Sequence, residues 1–212
     1  MLLIRWHGHS CFEIVDETTI VTDPHDGKSI GIPTPFVSAD IILISHDHYD
    51  HNSVKTVEKE GTKIITDSRK RNIGDIAIKG FQSFHDEAQG EKRGENIMHK
   101  VIVDNISFVH LGDLGHILDD KTIETLEQVD ILFTPVGGTY TIDSKGAWNI
   151  IDRLKPRIVI PMHYKIEGLS LPIATVDEFL EQSPYPVLRV GNEIDIEKSE
   201  LPEEPEVWVF TL

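Results

Sequence analysis

Four potential metal ligands lie within six residues of one another, directly after an apolar run. They are His46, His48, Asp50 and His51. The preceding residues 41–44 read Ile-Ile-Leu-Ile, which is typical of a strand buried on both faces. Residues two apart on extended backbone face the same way, so the first two histidines can converge on one ion. The aspartate and histidine that follow can point to a second ion. Imidazole and carboxylate groups bind zinc, manganese and iron, so this segment predicts a metal centre.

The composition of the 212-residue chain predicts a globular protein with a sizeable core, since hydrophobic residues make up 39% and charged residues 26%. The 36 acidic and 20 basic residues give a formal net charge of −16, which disfavours nucleic-acid backbones as partners. No apolar run approaches the ~18 residues of a membrane span, and the N-terminus does not read as a signal peptide. A cytoplasmic protein with no membrane partner is therefore expected. The single cysteine, Cys11, excludes an intramolecular disulfide and a cysteine-rich zinc site.

Short strands and amphipathic helices surround the histidine-rich segment. Period-two and β-branched patterns predict strands at residues 2–6, 12–15, 19–22, 41–44, 63–66, 76–79, 98–103, 106–110, 130–134, 157–160, 187–190 and 207–210. Capping residues and apolar stripes predict helices at residues 53–60, 121–129, 143–154 and 175–182. Strands outnumber helices, and helices separate the later strands. This order is consistent with an α/β protein of one domain, residues 1–212, built as a four-layer αββα sandwich.

Residues 46–51 resemble the HxHxDH signature of the metallo-β-lactamase superfamily, and further residues resemble the rest of its pattern in chain order. Asp23 is similar to an early aspartate that ends a strand and braces the site. His85 resembles the third histidine of the first metal, Asp113 the aspartate that bridges both metals, and His163 the final histidine of the second metal. The resemblance implies the metallo-β-lactamase fold and a metal-dependent hydrolase.

The resemblance also implies a centre of two divalent ions, with zinc favoured and manganese or iron as alternatives. The first ion would be bound by His46, His48, His85 and Asp113, and the second by Asp50, His51, Asp113 and His163. A hydroxide shared by the two ions would attack a small-molecule ester, lactone or phosphodiester. Asp50 would be a catalytic residue that accepts a hydrogen bond from the attacking water. The partner of such an enzyme is a small-molecule substrate, and the sequence is also compatible with a homo-oligomer.

Two other functions are weighed against this hydrolase. One is a nuclease acting on RNA or DNA, which the net charge and the short chain disfavour. The other is a non-catalytic metal-binding protein, against which the complete ligand set argues.

Three segments have roles that the sequence leaves open. His7 and His9 fit either packing or a place near the metals, and the resemblance favours one of them reaching the active-site region. Residues 86–96 read as a mobile loop. Residues 135–141 are similar to a loop lining the active site in a branch of small metal-dependent hydrolases that includes ascorbate-phosphate lactonase-like proteins.

Overall fold

Two β-sheets form the framework of the protein in a computed structural model that describes every residue from Met1 to Leu212. The first sheet contains, in spatial order, β13 (Glu193–Ile196), β1 (Leu2–Trp6), β2 (Phe12–Val15), β3 (Thr19–Thr22), β4 (Ala39–Leu43) and β5 (Glu58–Ile65). The second sheet contains, in spatial order, β12 (Val187–Val190), β14 (Glu206–Phe210), β11 (Ile158–Met162), β10 (Ile131–Pro135), β9 (Ile106–His110), β8 (Glu95–Val103), β7 (Ile76–Phe84) and β6 (Arg71–Ile73).

Three short α-helices accompany the second sheet: α1 (Asp120–Leu126), α2 (Ser144–Leu154) and α3 (Asp177–Glu181). Helix α1 connects β9 to β10 and α2 connects β10 to β11, and both strand pairs are parallel. Because both crossovers step in the same direction along the sheet, the two helices lie on the same face of it. The Asp143 side chain caps α2 by accepting a hydrogen bond from the backbone N–H of Gly146 at 2.9 Å.

The hydrophobic core joins both sheets and the helices in one cluster of 45 buried residues. Phe133 of β10 lies near its middle, with its ring centroid 4.5 Å from that of Phe12 in the first sheet. On its other side the Phe133 ring contacts Phe108 of β9 edge-on at 5.9 Å. The core therefore fixes the two sheets against each other. No helix has the length and apolar character needed to cross a bilayer.

The helix predicted at residues 53–60 is wrong. Only a single 3-10 turn, Val54–Thr56, forms there, and β5 begins at Glu58 and pairs in parallel with β4. The segment offers two apolar residues, Val54 and Val57, which pack on a small cluster over the outer face of the first sheet. Val57 is buried and Val54 is half-buried, and a single turn is enough to place both, so the outer layer over this sheet is thin.

The carboxyl ends of the strands that carry the predicted ligands point to a common edge in each sheet. In the first sheet, β3 and β4 are parallel, and β1 runs the same way because two antiparallel pairings separate it from β3. In the second sheet, β9, β10 and β11 are parallel, and two antiparallel pairings give β7 the same direction. Side chains that follow six different strands are thereby delivered to the edge of the sandwich.

Candidate metal centre

All the side chains predicted as metal ligands lie together at this edge. They are His46, His48, Asp50, His51, His85, Asp113 and His163. All are buried except His48, which is exposed to solvent. Three groups of possible ligand atoms have members within 4.8 Å of one another, and one of them, Asp23, His46 and His51, shares residues with the other two. The histidine trio consists of His46, His48 and His85, and the mixed quartet consists of His9, Asp50, His51 and His163.

Asp113 lies between the trio and the quartet. Its Oδ2 atom lies 3.1 Å from Nε2 of His163, 3.3 Å from Nε2 of His51, 3.4 Å from Nε2 of His85 and 3.8 Å from Nε2 of His46. One carboxylate oxygen thus faces imidazole nitrogens of both groups. This is the position that a carboxylate shared by two ions would need.

The loop that carries Asp113 depends on a glycine and on a buried asparagine. Gly112 has φ +58°, and a Cβ atom there would collide with Asn96 Oδ1 and Ser45 Cβ. The backbone N–H of Asp113 donates to Asn96 Oδ1 at 3.0 Å, and Asn96 Nδ2 donates to the carbonyl of Leu111 at 2.9 Å. Asn96 therefore holds the loop on both sides of the glycine.

Asp23 braces the centre from below, as the resemblance implied. Its Oδ1 accepts from the backbone N–H of Ser45 at 2.7 Å, and its Oδ2 accepts from Ser45 Oγ at 2.6 Å. Oδ2 also lies 3.1 Å from Nδ1 of His51, and Ser45 Oγ lies 2.8 Å from Nδ1 of His46. If both histidines carry their proton on Nδ1, every hydrogen bond in this network has one donor and one acceptor. Both Nε2 atoms are then free to bind a cation.

His9 joins the centre and His7 does not. The Nε2 atom of His9 lies 3.1 Å from Nε2 of His51 and 3.3 Å from Asp50 Oδ2. In contrast, Nε2 of His7 contacts Glu13 Oε2 at 3.0 Å. The resemblance favoured one of the two histidines reaching the active-site region, and the structure places His9 there.

The remaining histidines lie outside the cluster. Nε2 of His110 lies 3.0 Å from the carbonyl of Ser10, and its Nδ1 accepts from the backbone N–H of Gly112 at 3.2 Å, so this buried ring is a neutral structural group. His25 and His99 are also buried, and each contacts a backbone carbonyl through Nε2. His116 accepts a hydrogen bond from the backbone of Phe84.

The charges around the centre are arranged to favour a cation. Burial opposes ionisation of Asp113, but His163 and His51 lower the pKa of its carboxyl well below the ordinary value. Burial, assisted by His51, lowers the pKa of His46 to about 3, so this imidazole is neutral at pH 7. Burial also opposes protonation of His51, yet Asp113 and Asp23 raise its pKa well above the ordinary value. In the metal-free protein, a protonated His51 thus carries a positive charge that the two carboxylates stabilise. A bound metal ion could supply that charge instead.

Two buried atoms support the fit of metal ions to this site. Nε2 of His46 and Oδ1 of Asp113 have no hydrogen-bond partner in the protein. A buried polar atom without a partner is costly, and these two lie within the ligand cluster. Together with the set of imidazole nitrogens and carboxylate oxygens, they fit zinc, manganese or iron.

A cavity of about 290 Å³ opens over the centre and is called the mouth here. Tyr49, Arg93, Tyr140 and Leu171 line it together with the predicted ligands Asp50, His85 and Asp113 and others. The loop at residues 135–141 supplies Tyr140, and a side chain at Gly137 would collide with the carbonyl of His163. Within the segment 86–96, predicted as a mobile loop, residues 86–94 form a turn that supplies Arg93, and residues 95 and 96 begin β8.

Two packed sheets with a histidine and aspartate cluster at the carboxyl ends of their strands define the metallo-β-lactamase class of fold. A family profile described as "Beta-lactamase superfamily domain" matches residues 3–163. The chain belongs to this family, as the histidine-rich segment predicted.

Known proteins similar to this chain are found by sequence and by structure. A relative from Thermoplasma acidophilum, named UPF0173 metal-dependent hydrolase, is 29% identical over an alignment of 186 positions, and the match covers 77% of this chain and 83% of the relative. A relative of the same name from Thermococcus onnurineus is 30% identical over an alignment of 190 positions, and the match covers 77% of this chain and 85% of the relative. A Thermotoga maritima structure, named as a member of the metallo-beta-lactamase superfamily, is 36% identical. The match covers 99% of this chain and 98% of that one, with a TM-score of 0.82. The predicted fold class is confirmed, and so is the enzyme class at the level of a metal-dependent hydrolase.

Proposed function

We propose that this protein binds two divalent metal ions and cleaves a small-molecule ester, lactone or phosphodiester. The observation that carries the proposal is the position of Asp113, whose Oδ2 lies 3.1–3.8 Å from Nε2 atoms of both ligand groups. A purely structural carboxylate would not need four imidazoles around one oxygen. A carboxylate shared between two ions would lie among four imidazoles, because each ion would be bound by histidines of its own.

We assign the predicted ligands to two ions in the way that the resemblance implies. His46, His48 and His85 would hold one ion, and Asp50, His51 and His163 the other, with Asp113 common to both. The imidazole-rich trio favours zinc, while the quartet accepts zinc, manganese or iron. Bound ions would lower the pKa of a water molecule and polarise the bond to be cleaved.

The side chains around the ligands have separate tasks. Asp23 holds His51 and, through Ser45, His46. Burial opposes ionisation of Asp50, but the hydrogen bond from His9 lowers its pKa, so Asp50 is a carboxylate at neutral pH that can accept a hydrogen bond from the attacking water. Leu171 of the mouth gives an apolar surface for the organic part of a substrate.

A small molecule is favoured over a nucleic acid as substrate. The mouth measures about 290 Å³ and the chain carries a formal charge of −16. A field of this sign repels a polyphosphate backbone. A cytoplasmic location and a homo-oligomer stay predictions of the sequence.

The test combines metal analysis with turnover. The purified protein is assayed on p-nitrophenyl esters, lactones, bis(p-nitrophenyl) phosphate and an RNA, before and after chelation and after zinc or manganese is returned. We expect about two ions per chain and chelator-sensitive cleavage of at least one small substrate. The substitutions Asp113→Ala and His48→Ala should each remove at least one ion and most of the activity.

The matched control is His7→Gln, which changes a histidine that follows β1 two residues before His9 and contacts Glu13 outside the cluster. It should keep the metal content and activity of the unchanged protein. Two tightly bound ions in Asp113→Ala would contradict the assignment, and cleavage of RNA alone would favour a nuclease.

A further inference from the structure

The turn between β7 and β8 is organised around one buried carboxylate. Oδ1 of Asp86 accepts backbone N–H bonds from Ala88 at 2.7 Å and Gly90 at 3.0 Å. Its Oδ2 accepts from Lys92 at 3.0 Å and Arg93 at 2.7 Å. Four backbone donors on one carboxylate fix the path of the turn. The turn therefore has a defined shape, and that shape decides where the side chain of Arg93 lies.

Arg93 lies at the boundary of two cavities. It lines the mouth of about 290 Å³ and also an adjoining polar cavity of about 490 Å³. In both cavities it is the only lysine or arginine. Its Nη2 donates to the carbonyl of Thr139 at 3.1 Å, and its guanidinium carbon lies 5.5 Å from the ring centroid of Tyr140. These contacts hold the guanidinium beside the metal centre while leaving other N–H groups free.

Arg93 is one of two arginines that make no ion pair in this acidic protein. Arginines that do have a carboxylate within 4.0 Å are Arg5, Arg69, Arg71, Arg153 and Arg157. Arg93 has none, although the chain holds 36 acidic residues. The other unpaired arginine is Arg189, which lines a different cavity, beside Trp6 and Tyr164.

We propose that Arg93 determines specificity by binding an anionic group, a carboxylate or a phosphate, on the substrate of this centre. The proposal rests on the hydrolase function proposed above and narrows it to substrates that carry a negative charge apart from the bond that is cleaved. The guanidinium offers planar, paired donors that match both anions. Tyr140 and Leu171 would contact the uncharged part of the same molecule.

The kinetic test compares two esters that differ in charge. These are neutral p-nitrophenyl butyrate and the anionic mono-p-nitrophenyl ester of glutaric acid. The proteins are the unchanged enzyme, Arg93→Gln, Arg93→Lys and the control Arg189→Gln. We expect Arg93→Gln to raise KM for the anionic ester roughly tenfold with little change in kcat, and to leave the neutral ester unaffected. Arg93→Lys should recover part of the loss, and Arg189→Gln should match the unchanged enzyme for both esters.

A second readout does not depend on turnover. Binding of phenylphosphonate and of benzoate to the metal-loaded proteins is measured by titration calorimetry, with metal content checked in each. We expect Arg93→Gln to weaken binding of at least one anion roughly tenfold, and the anion more affected identifies the charged group of the substrate. Equal KM ratios and equal anion affinities in Arg93→Gln and Arg189→Gln would overturn the proposal while leaving the hydrolase function standing. If the unchanged enzyme cleaves no ester, lactone or phosphodiester, the proposed function fails, and the anion affinities alone decide the role of Arg93.

Discussion

The substitution Asp23→Asn tests whether the hydrogen bonds behind the ligands prepare them for metal. The backbone N–H of Ser45 requires an acceptor at Oδ1, so the new amide nitrogen must take the place of Oδ2. There it faces Nδ1 of His51, which lies 3.1 Å from that position. An amide N–H can only donate, so His51 must move its proton to Nε2 and lose its free ligand atom.

The expected loss follows from this change of tautomer. Removal of a hydrogen-bond partner behind a metal ligand reduces metal affinity by about 10–100-fold, which corresponds to about 1.4–2.7 kcal/mol. The metal-free protein should also lose about 1–3 kcal/mol of stability, because one charge-assisted acceptor of a buried network is gone.

Zinc affinity is measured by competition with a chromophoric chelator, and stability by urea unfolding of the chelated protein. The control is Asp119→Asn, which changes an aspartate of the same chemistry that caps α1 by accepting from the N–H of Thr122, away from the centre. Wild-type zinc affinity in Asp23→Asn would refute the reasoning, since it would show that the protonation state of His51 does not depend on Asp23.

Three further predictions concern the ligands, the core and the response to pH. His9→Ala should lower the affinity of one ion but not of the other, because His9 contacts Asp50 and His51 and none of the trio, and metal titration with two resolved binding steps checks this. Phe133→Ala should cost about 3–5 kcal/mol in urea unfolding, since the ring is fully buried between the sheets, and a loss below 1 kcal/mol would contradict its central place. Because Asp113 and Asp23 outweigh burial and raise the pKa of His51 above 6.5, its contribution to the stability of the metal-free protein is full below pH 6.5 and is lost as pH rises through the folded-state pKa. Zinc must displace that proton, so calorimetry in buffers of different ionisation enthalpy should show proton release and an affinity that increases with pH.

The sequence pattern predicted most strands because their signals are local. Alternating or β-branched runs such as 2–6 and 106–110 became strands with the predicted bounds. The segment at residues 53–60 failed because Ser53 and Gly61 resemble helix ends, while parallel pairing with β4 decides the outcome and acts over a distance. The short strands β6 and β13 were missed, although Ile194 and Ile196 carry a period-two signal.

The sequence predicted which histidines and aspartates come together at this edge, but it did not predict the residues that support them. Asn96, Ser45 and Asp86 act through hydrogen bonds to backbone or side chains that only the fold brings near. Nothing in their local sequence distinguishes them from ordinary polar residues. The direction of the strands could have indicated one further residue of the centre, the histidine after β1. Since β1 runs parallel to β3, a histidine just beyond its end had to lie at the same edge as Asp23.

The residue pattern could not show that His9, and not His7, lies in the centre, because the difference arises from the backbone conformation after β1. Period-two alternation assigns faces only while the chain is extended, and β1 ends at Trp6. His9 then adopts φ 55°, and the same left-handed conformation occurs at Asp23, with φ 36°, and at His163, with φ 53°. Each of these residues follows a strand end, and each non-glycine residue in this region costs about 1–3 kcal/mol unless its surroundings hold it. The backbone bond from His163 N–H to the carbonyl of His9 and the carboxylate contacts of Asp23 supply that hold. The left-handed residues re-aim side chains that regular strands would direct elsewhere, so the geometry of the centre comes from conformations that no residue pattern encodes.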